Sequence, residues 1–428
     1  MSSTVLSTSV TSRGSAGRVQ RFAAHLVRER LAALREGELT VMESGKPSSF
    51  GRKATAADLF TTVRVQDPRF WTAVAFGGSV GAGAAYMKGY WSAEDLTTAL
   101  RVILRNRGVL DELDAGLTRI VAPLHRMLHW LRRNTVVGAR RNIEAHYDLG
   151  NEFFALMLDP SLMYSCAVFE RPDMTLEEAQ YARLQRLCAK LRLDRDDHLL
   201  EIGTGWGTFA IYAAKRYGCR VTTTTISEQQ YACAHERIRA AGLGDRITLL
   251  QKDYRELEGR FDKLVSIEMI EAVGHEFYDE YFAQCARLLK EDGAMLLQAI
   301  TIADQRYEEA RRSVDFIQKF IFPGSTIPSI TAMLASATRA SDLRLTHLED
   351  LGAHYVTTLS RWRANFLRHR PEVLRLGYSD SFVRLWEFYL CYCEAGFAER
   401  ALGDVQMLLV KPRYRHDPVL GQLHHDAQ

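Results

Sequence analysis

The sequence predicts an α/β protein: a doubly wound, Rossmann-like domain with a mostly parallel sheet, preceded by a smaller α+β domain. Three observations carry that prediction. From about Asp194 onward, short apolar runs alternate with helix-period segments, as parallel strands joined by helical crossovers do. A glycine-rich turn, "EIGTGWG" at Glu201–Gly207, falls between the first such strand and the first such helix. A chain of 428 residues is also longer than one hydrophobic core usually fills.

Taken in order, residues 1–20 read as a disordered tail. They carry no acidic residue, a composition shared with organelle transit peptides, but lack the apolar run of a secretory signal. Residues 21–120 read as the small domain, with a helix from Arg21 to Arg35 and strand-like pieces to about Val65. A second helix lies in "YMKGYWSAEDLTTALRVIL", with Ser92 ahead of Glu94 and Asp95 at its start. Residues 121–145 form a basic amphipathic linker. Arg126, Arg132, Arg133, Arg140 and Arg141 stand beside Leu124, Met127, Leu128, Trp130 and Leu131. This segment reads either as a helix packed on one domain or as one drawn to anionic lipid headgroups.

Residues 146–428 hold the alternating pattern. Strands are predicted at His198–Gly203, Cys219–Thr225, Ile247–Asp253, Phe261–Met269 and Ala294–Ile302. Helices are predicted at Thr208–Tyr217, at Ser227–Ala241 with Ser227 as cap, and at Tyr278–Lys290. Two uncharged stretches, Phe70–Met87 and Phe320–Thr338, read as buried or loop segments rather than membrane spans. Gly77, Gly78, Gly81 and Gly83 make the first turn-like, and Pro323, Gly324 and Pro328 break the second.

Composition narrows the function. With 47% hydrophobic and 25% charged residues, the chain is not a disordered one. A net charge of +3 is too small to imply nucleic acid, and no base-stacking constellation accompanies the arginines. Seven scattered cysteines without CxxC spacing read as reduced thiols of a cytoplasmic protein, and no metal site is expected.

The glycines at 203, 205 and 207 let backbone approach a ligand closely. A dinucleotide fingerprint would place its third glycine one position later and an acid about 20 residues on. Here that region reads "TTTTISEQQ", and the lysine and hydroxyl of a phosphate loop are absent. The even spacing and the leading Glu201 suit S-adenosylmethionine (SAM), which carries no phosphate.

Several further segments stand in order: "EAHYDLGNEFFALMLDPSLMYSCAVFERPDMTLEEAQYA", "LLEIGTGWG", "TISEQQ", "KDYREL", "FDKLVSIEMIEAVG" and "FIFPGSTIPS". Together they resemble the cyclopropane fatty acid synthase family, which includes the mycolic acid cyclopropane synthases. The resemblance runs from about Ile143 to the C-terminus. The front domain is similar to the longer, phospholipid-acting members through "GYWSAEDL".

The resemblance implies a SAM-dependent enzyme that adds one carbon to a cis double bond of a phospholipid acyl chain. For SAM it implies Tyr164 and Ser165, the turn with Glu201, Gly203, Thr204, Gly205 and Gly207, the segment with Thr225, Ile226, Ser227 and Gln230, and then Asp253, Tyr254 and Arg255. Around a bicarbonate ion acting as base it implies Cys166, Glu271, Ile300 and Tyr355, and it maps Cys393 to a late active-site cysteine. Gln298 stands where the family commonly has histidine. Glutamine donates a hydrogen bond but cannot act as a base, so a ring and a methylene branch stay open as products. A methylene branch would call for a separate reductase to yield a methyl branch. A homodimer at the inner face of the cytoplasmic membrane is the expected setting.

The chemistry itself asks for a dry cavity, because water traps the cation that forms on the chain. Aromatic faces stabilise such a charge, and Tyr307, Phe316, Phe320, Phe322, Trp362, Phe366, Trp386 and Tyr389 are candidates. Glu271 would hold or supply the base and Tyr355 would orient it. Direct transfer needs no enzyme nucleophile, so Cys166 reads as pocket wall, with plain packing as the competing reading. His146, Tyr147 and Asp148 read as a polar cluster near the site or as a helix-entry network. The alternative activity is methyl transfer to an N, O or S nucleophile of a small molecule.

Overall fold

The computed structural model describes residues 13–52, 55, 58–108 and 149–419. The basic linker at 121–145 and the cluster His146–Asp148 therefore lie outside the described residues. The chain divides into two compact units, one of residues 1–127 with 377–399 and one of residues 128–376 with 400–428.

In the first unit, α1 (Arg13–Leu31) begins within the stretch expected to be a tail. Ala23, Ala24, Val27 and Leu31 are buried at helical spacing, which is why this segment holds a helix. Strands β1 (Gly37–Glu43), β2 (Lys46–Arg52), β3 (Phe60–Val65) and β4 (Trp91–Ala93) form a sheet in the order β2-β1-β3-β4. The glycine-rich stretch expected to be turn-like is instead helix α2 (Arg69–Met87), kinked at Gly78, where φ is 51°. A Cβ on Gly81 would sit 1.9 Å from the Ala73 carbonyl, so this glycine serves close backbone packing across the kink. The cap of α3 (Leu96–Arg105) is Asp95, whose side chain accepts from the Thr98 N–H, while Ser92 lies in β4. A late helix, Asp380–Ala398, belongs to this unit although the sequence pattern groups it with residues 146–428. It is tied in by Thr97 to Glu394 at 3.2 Å and by the Arg384 guanidinium to the Trp91 carbonyl at 2.7 Å.

The second unit carries α4 (Asn151–Met157), α5 (Leu176–Leu191), β5 (His198–Ile202), α6 (Thr208–Tyr217), β6 (Arg220–Thr224), α7 (Glu228–Ala240) and β7 (Ile247–Leu250). Next come β8 (Phe261–Ile267), α8 (Tyr278–Leu288), β9 (Leu289–Ile302), α9 (Asp304–Ala310), α10 (Phe316–Phe320) and α11 (Ile330–Ala340). The unit closes with β10 (Arg344–Asp350), α12 (Gly352–Arg368), α13 (Arg370–Arg375) and β11 (Leu402–Val410). The sheet runs β10-β11-β9-β8-β5-β6-β7. Strands β9, β8, β5, β6 and β7 are parallel, and β11 and β10 add antiparallel. This is the predicted doubly wound arrangement. The main departure is β9, which begins at Leu289 rather than Ala294 because α8 stops at Leu288.

Alternation along the strands sorts the core into two faces. Leu199, Val221, Leu296 and Leu408 pack under α5 and α6 with Leu184, Leu187 and Phe209. Leu200, Leu264, Leu297 and Met407 pack on the opposite face with Tyr281, Phe282 and Met333. From β5 the chain winds one way to β6 and β7, then returns through β8 to the other side. The carboxyl ends of β5 and β8 therefore flank the switch point where open α/β sheets bind ligands. Among the described residues, no helix is long and apolar enough to cross a membrane.

Candidate active site

The glycine turn leaves β5 and folds over β6, with the Gly203 and Thr204 N–H groups donating to the Thr224 carbonyl at 3.1 and 2.9 Å. Gly203, Gly205 and Gly207 have φ of 98°, 54° and 84°, values that favour glycine. Their surroundings differ. A Cβ at Gly207 would stand 3.2 Å from the Ala234 Cβ, so that glycine lets α7 pack closely. A Cβ at Gly205 would meet nothing within 4 Å, which leaves the space above the turn open to a ligand.

The other SAM candidates gather at the same edge of the sheet. The Thr225 hydroxyl donates to Gln230 Oε1 at 2.9 Å and accepts from the Ser227 N–H at 3.1 Å. Ser227 caps α7, and half-buried Ile226 lies between these groups. Asp253 is held by the Arg255 guanidinium at 2.8 and 2.9 Å, and that guanidinium lies 5.2 Å from the Tyr254 ring centroid. Glu201 is nearly inaccessible and accepts from the Thr223 hydroxyl at 2.6 Å, joining β5 to β6, and burial pushes its pKa up to about 7. Buried Ser165 presents its carbonyl to Gln180 Nε2 at 2.9 Å. A row of aromatic rings, Trp206, Phe154, Tyr164, Trp362 and Tyr355, runs from the turn with successive centroids 5.1, 5.3, 5.2 and 6.0 Å apart. An open, glycine-lined turn with buried polar groups and aromatic walls fits SAM, a cofactor without phosphate groups.

At the far end of that row stands a carboxylate cluster. Its centre is Glu268, one residue beyond β8. Glu268 Oε1 accepts from the Cys166 N–H at 2.8 Å and from Gln298 Nε2 at 2.7 Å, and Oε2 accepts from the Tyr355 hydroxyl at 2.7 Å. Its φ is 48°, a left-handed value that costs a residue with a side chain on the order of 1 kcal/mol. Glu271, in the next turn, accepts from the Ile300 N–H at 2.5 Å, and its buried Oε2 has no partner among the described residues. Gln298 reaches Asp404 Oδ2 at 3.0 Å as well as Glu268. Arg183 comes in from α5, fully buried, and none of its three guanidinium nitrogens has a hydrogen-bond partner among the described residues.

The charges within this cluster are unequal. Burial raises all three carboxyl groups, with Glu271 pushed up to about 8 and Asp404 raised well above its ordinary value. Glu268 differs because three donors and the Arg183 charge oppose the effect of burial. Arg183 faces two of these groups, Glu268 and Asp404, and its charge favours the anionic form of each. Its three donors and the facing guanidinium make Glu268 the carboxyl group best supported in its charged form, while burial and the neighbouring carboxylate favour the protonated form of Glu271 and Asp404. Burial also pushes the Cys166 thiol well up, so this sulfur is no thiolate nucleophile.

The predicted residues Cys166, Glu271, Gln298, Ile300 and Tyr355 are thus brought together, but not around an ion. The N–H of Cys166 and the hydroxyl of Tyr355 both point to Glu268, and the N–H of Ile300 points to Glu271. The donors that would hold bicarbonate are taken by the chain's own side chains, so the residues present do not fit that anion. Cys393 belongs to the first unit, half-buried on the helix Asp380–Ala398, and its assignment to the site rests on the resemblance. Glu268, Arg183 and Asp404 escaped the sequence reading. The available signals were an acid at a parallel strand's carboxyl end and an arginine on the buried stripe Leu184, Leu187, Leu191 of α5.

Comparison with known proteins shows the family to which this fold belongs. The family profile for mycolic acid cyclopropane synthetase matches residues 135–407. Tuberculostearic acid methyltransferase UfaA1 of Mycobacterium tuberculosis is 38% identical over 352 residues, covering 78% of this chain and 79% of that protein. Cyclopropane-fatty-acyl-phospholipid synthase of Escherichia coli is 37% identical over 349 residues, 81% of this chain and 86% of that protein. Among solved structures, the cyclopropane synthase MmaA2 from Mycobacterium tuberculosis superposes with a TM-score of 0.60 at 31% identity, covering 64% of this chain and 98% of that one. Mycolic acid cyclopropane synthase CmaA1 complexed with SAH and CTAB gives the same TM-score at 32% identity and the same coverage. The chain belongs to the mycolic acid cyclopropane synthetase family and is a SAM-dependent methyltransferase.

Proposed function

We propose that the protein adds the methyl carbon of SAM to the cis double bond of an unsaturated phospholipid acyl chain, and that Glu268 is the base that completes the reaction. When bound, SAM supplies an electrophilic sulfonium methyl. The protein's part is to orient the alkene, keep water out and take one proton. The aromatic row from Trp206 to Tyr355 gives apolar, π-rich walls suited to a cation on the chain. Gly203, Gly205, Thr225, Gln230 and Asp253 line the cofactor end, and Cys166 is wall.

The observation that carries the reading is the setting of Glu268. It is half-buried, so part of its surface is open, and it is held as an anion by three donors at the end of the aromatic row. Glu271 keeps its proton and serves to shape the strand end through Ile300. A base held by the Cys166 N–H and the Tyr355 hydroxyl has one position, unlike a diffusible ion. The methylene-branched product follows from that fixed base if it faces the acyl carbon next to the new branch. A separate reductase then produces a methyl branch, and the enzyme works as a homodimer at the inner face of the membrane.

The test is incubation of the purified protein with SAM and vesicles of monounsaturated phospholipid, followed by proton NMR of the recovered lipid. Exocyclic methylene signals bear the proposal out. Upfield cyclopropane signals overturn the product, and unaltered lipid with bound SAM overturns the activity.

A further inference from the structure

Helix α5 sends two cations toward the sheet, Arg183 and Lys190, seven residues apart and so on one face of the helix. Arg183 faces the carboxylate cluster directly. Lys190 does not, yet it is buried and begins a hydrogen-bond chain that ends there. Its Nζ donates to Gln406 Oε1 at 2.6 Å, and Gln406 Nε2 donates to Gln298 Oε1 at 3.0 Å. Gln298 Nε2 then donates to both Glu268 and Asp404. Gln406 and Gln298 stand directly opposite each other in the β11/β9 register, so the two amides meet without any bend in the strands.

An amide has a donor end and an acceptor end, and an ammonium group can only donate. Lys190 therefore accepts one orientation of Gln406, which must offer its oxygen. Gln406 then turns its nitrogen to Gln298, and Gln298 must turn its own nitrogen to the carboxylates. Without the ammonium group the pair can turn over as a unit. Gln298 would then present a carbonyl oxygen to Glu268, replacing a donor with a repulsive dipole.

We propose that Lys190 is a positioning residue for the base: through Gln406 it fixes the direction of Gln298 and so keeps a donor on Glu268. This rests on the reading of Glu268 as the base. The other charged and titratable groups are accounted for on every side. Around Lys190 are Glu349 and His347 on β10 and Arg186 on α5, with Glu349 accepting from Lys190 at 2.5 Å and also from Arg186. Around Glu268 are Arg183 on α5, Asp404 on β11, Tyr355 on α12, and Cys166 and Glu271.

The experiment compares pH–rate profiles of wild type, Lys190→Met, Lys190→Arg and Gln406→Glu, with Glu268→Gln as reference. Arginine also donates only, so Lys190→Arg retains the wild-type profile. Lys190→Met lets the pair turn over, and Gln406→Glu accepts from Lys190 but cannot donate onward. Both move the acid limb about one pH unit higher, a tenfold loss of rate on that limb. A parallel readout, independent of turnover, is the infrared carboxyl band of the protein without SAM. The band missing from Glu268→Gln titrates higher by the same amount in Lys190→Met. Profiles and bands that coincide with wild type, with at most a uniform fall in rate, overturn the relay while leaving the base intact. Full activity in Glu268→Gln overturns the base, and the relay with it.

Discussion

The phenol of Tyr355 donates to Glu268 Oε2 across 2.7 Å, joining the last ring of the aromatic row to the carboxylate at the end of β8. The bond has a catalytic consequence that two variants separate. Glu268→Gln keeps the size of the side chain and loses the base, so turnover falls about 10²–10⁴-fold. SAM affinity by calorimetry stays near wild type, because the glycine turn proposed to hold the cofactor lies beside Trp206, at the other end of the row. Tyr355→Phe removes one hydrogen bond to a charged group, about 1.5–3 kcal/mol, and turnover falls roughly 10- to 100-fold. Equal losses in both variants would assign the proton transfer to the pair rather than to the carboxylate.

Glu271 makes the stability of the fold fall as pH rises. Its pKa is raised by burial, then by the Glu268 charge, from the ordinary 4.5 to about 8. The folded state thus binds one proton more than the unfolded state between those values. A raised carboxyl pKa gives stability that is present at low pH and is lost as pH climbs through the folded value. The slope is at most about 1.4 kcal/mol per pH unit from this one group. Glu201, raised to about 7, adds a slope of the same sign over a narrower window. Urea unfolding between about pH 5 and 8 should show this decline, and Glu271→Gln should flatten it. A wild-type curve that rises over that window would contradict the assigned protonation.

Much of the second unit was legible because its elements are consistent with one another. α6 has the predicted limits, Ser227 caps α7 as expected, and the strand runs at β5, β6 and β8 sit where their apolar stretches put them. What escaped was decided across the sheet. Gln298 is placed by Gln406, which lies over a hundred residues away in sequence and pairs with it only through β9 and β11. Glu268 was overlooked beside Glu271 because an acid after a strand is ordinary, and only its three donors mark it out. The stretch Arg69–Met87 misled for a different reason. Its glycines are disfavoured in a helix, yet here they permit a kink and a close contact that a bulkier residue would block.

Gly205 and Gly207 should separate cofactor binding from folding. At Gly207, alanine meets the Ala234 Cβ at 3.2 Å in a left-handed backbone, so Gly207→Ala costs about 1–3 kcal/mol of stability. At Gly205 an added methyl meets no protein atom and φ is 54°, which alanine tolerates at about 1 kcal/mol. Its methyl instead occupies space over the turn, so Gly205→Ala loses at least about tenfold in SAM affinity, or about 1.4 kcal/mol. Calorimetric titration with SAM and thermal unfolding of both variants make the comparison. Unchanged affinity in Gly205→Ala would place the cofactor elsewhere.

Trp362 should govern what happens to the cation on the chain. Its ring is fully buried, 5.2 Å from Tyr164 and 6.0 Å from Tyr355, and so stands beside the base. Trp362→Leu removes part of that wall while keeping an apolar side chain, which makes room for water next to Tyr355. Unfolding free energy falls by a few kcal/mol, roughly as for other large-to-small core changes, so assays belong well below the melting temperature. Water entering the pocket competes with Glu268. Its oxygen bonds to the cationic carbon and one of its protons leaves, giving a hydroxylated, methyl-branched chain heavier than the methylene product by one water. Mass spectrometry after reaction in water labelled with heavy oxygen detects that product directly. Its appearance in Trp362→Leu and its absence from wild type make the tryptophan a water barrier. Loss of activity with no labelled lipid, in a variant that still binds SAM, would mean the ring orients the alkene instead.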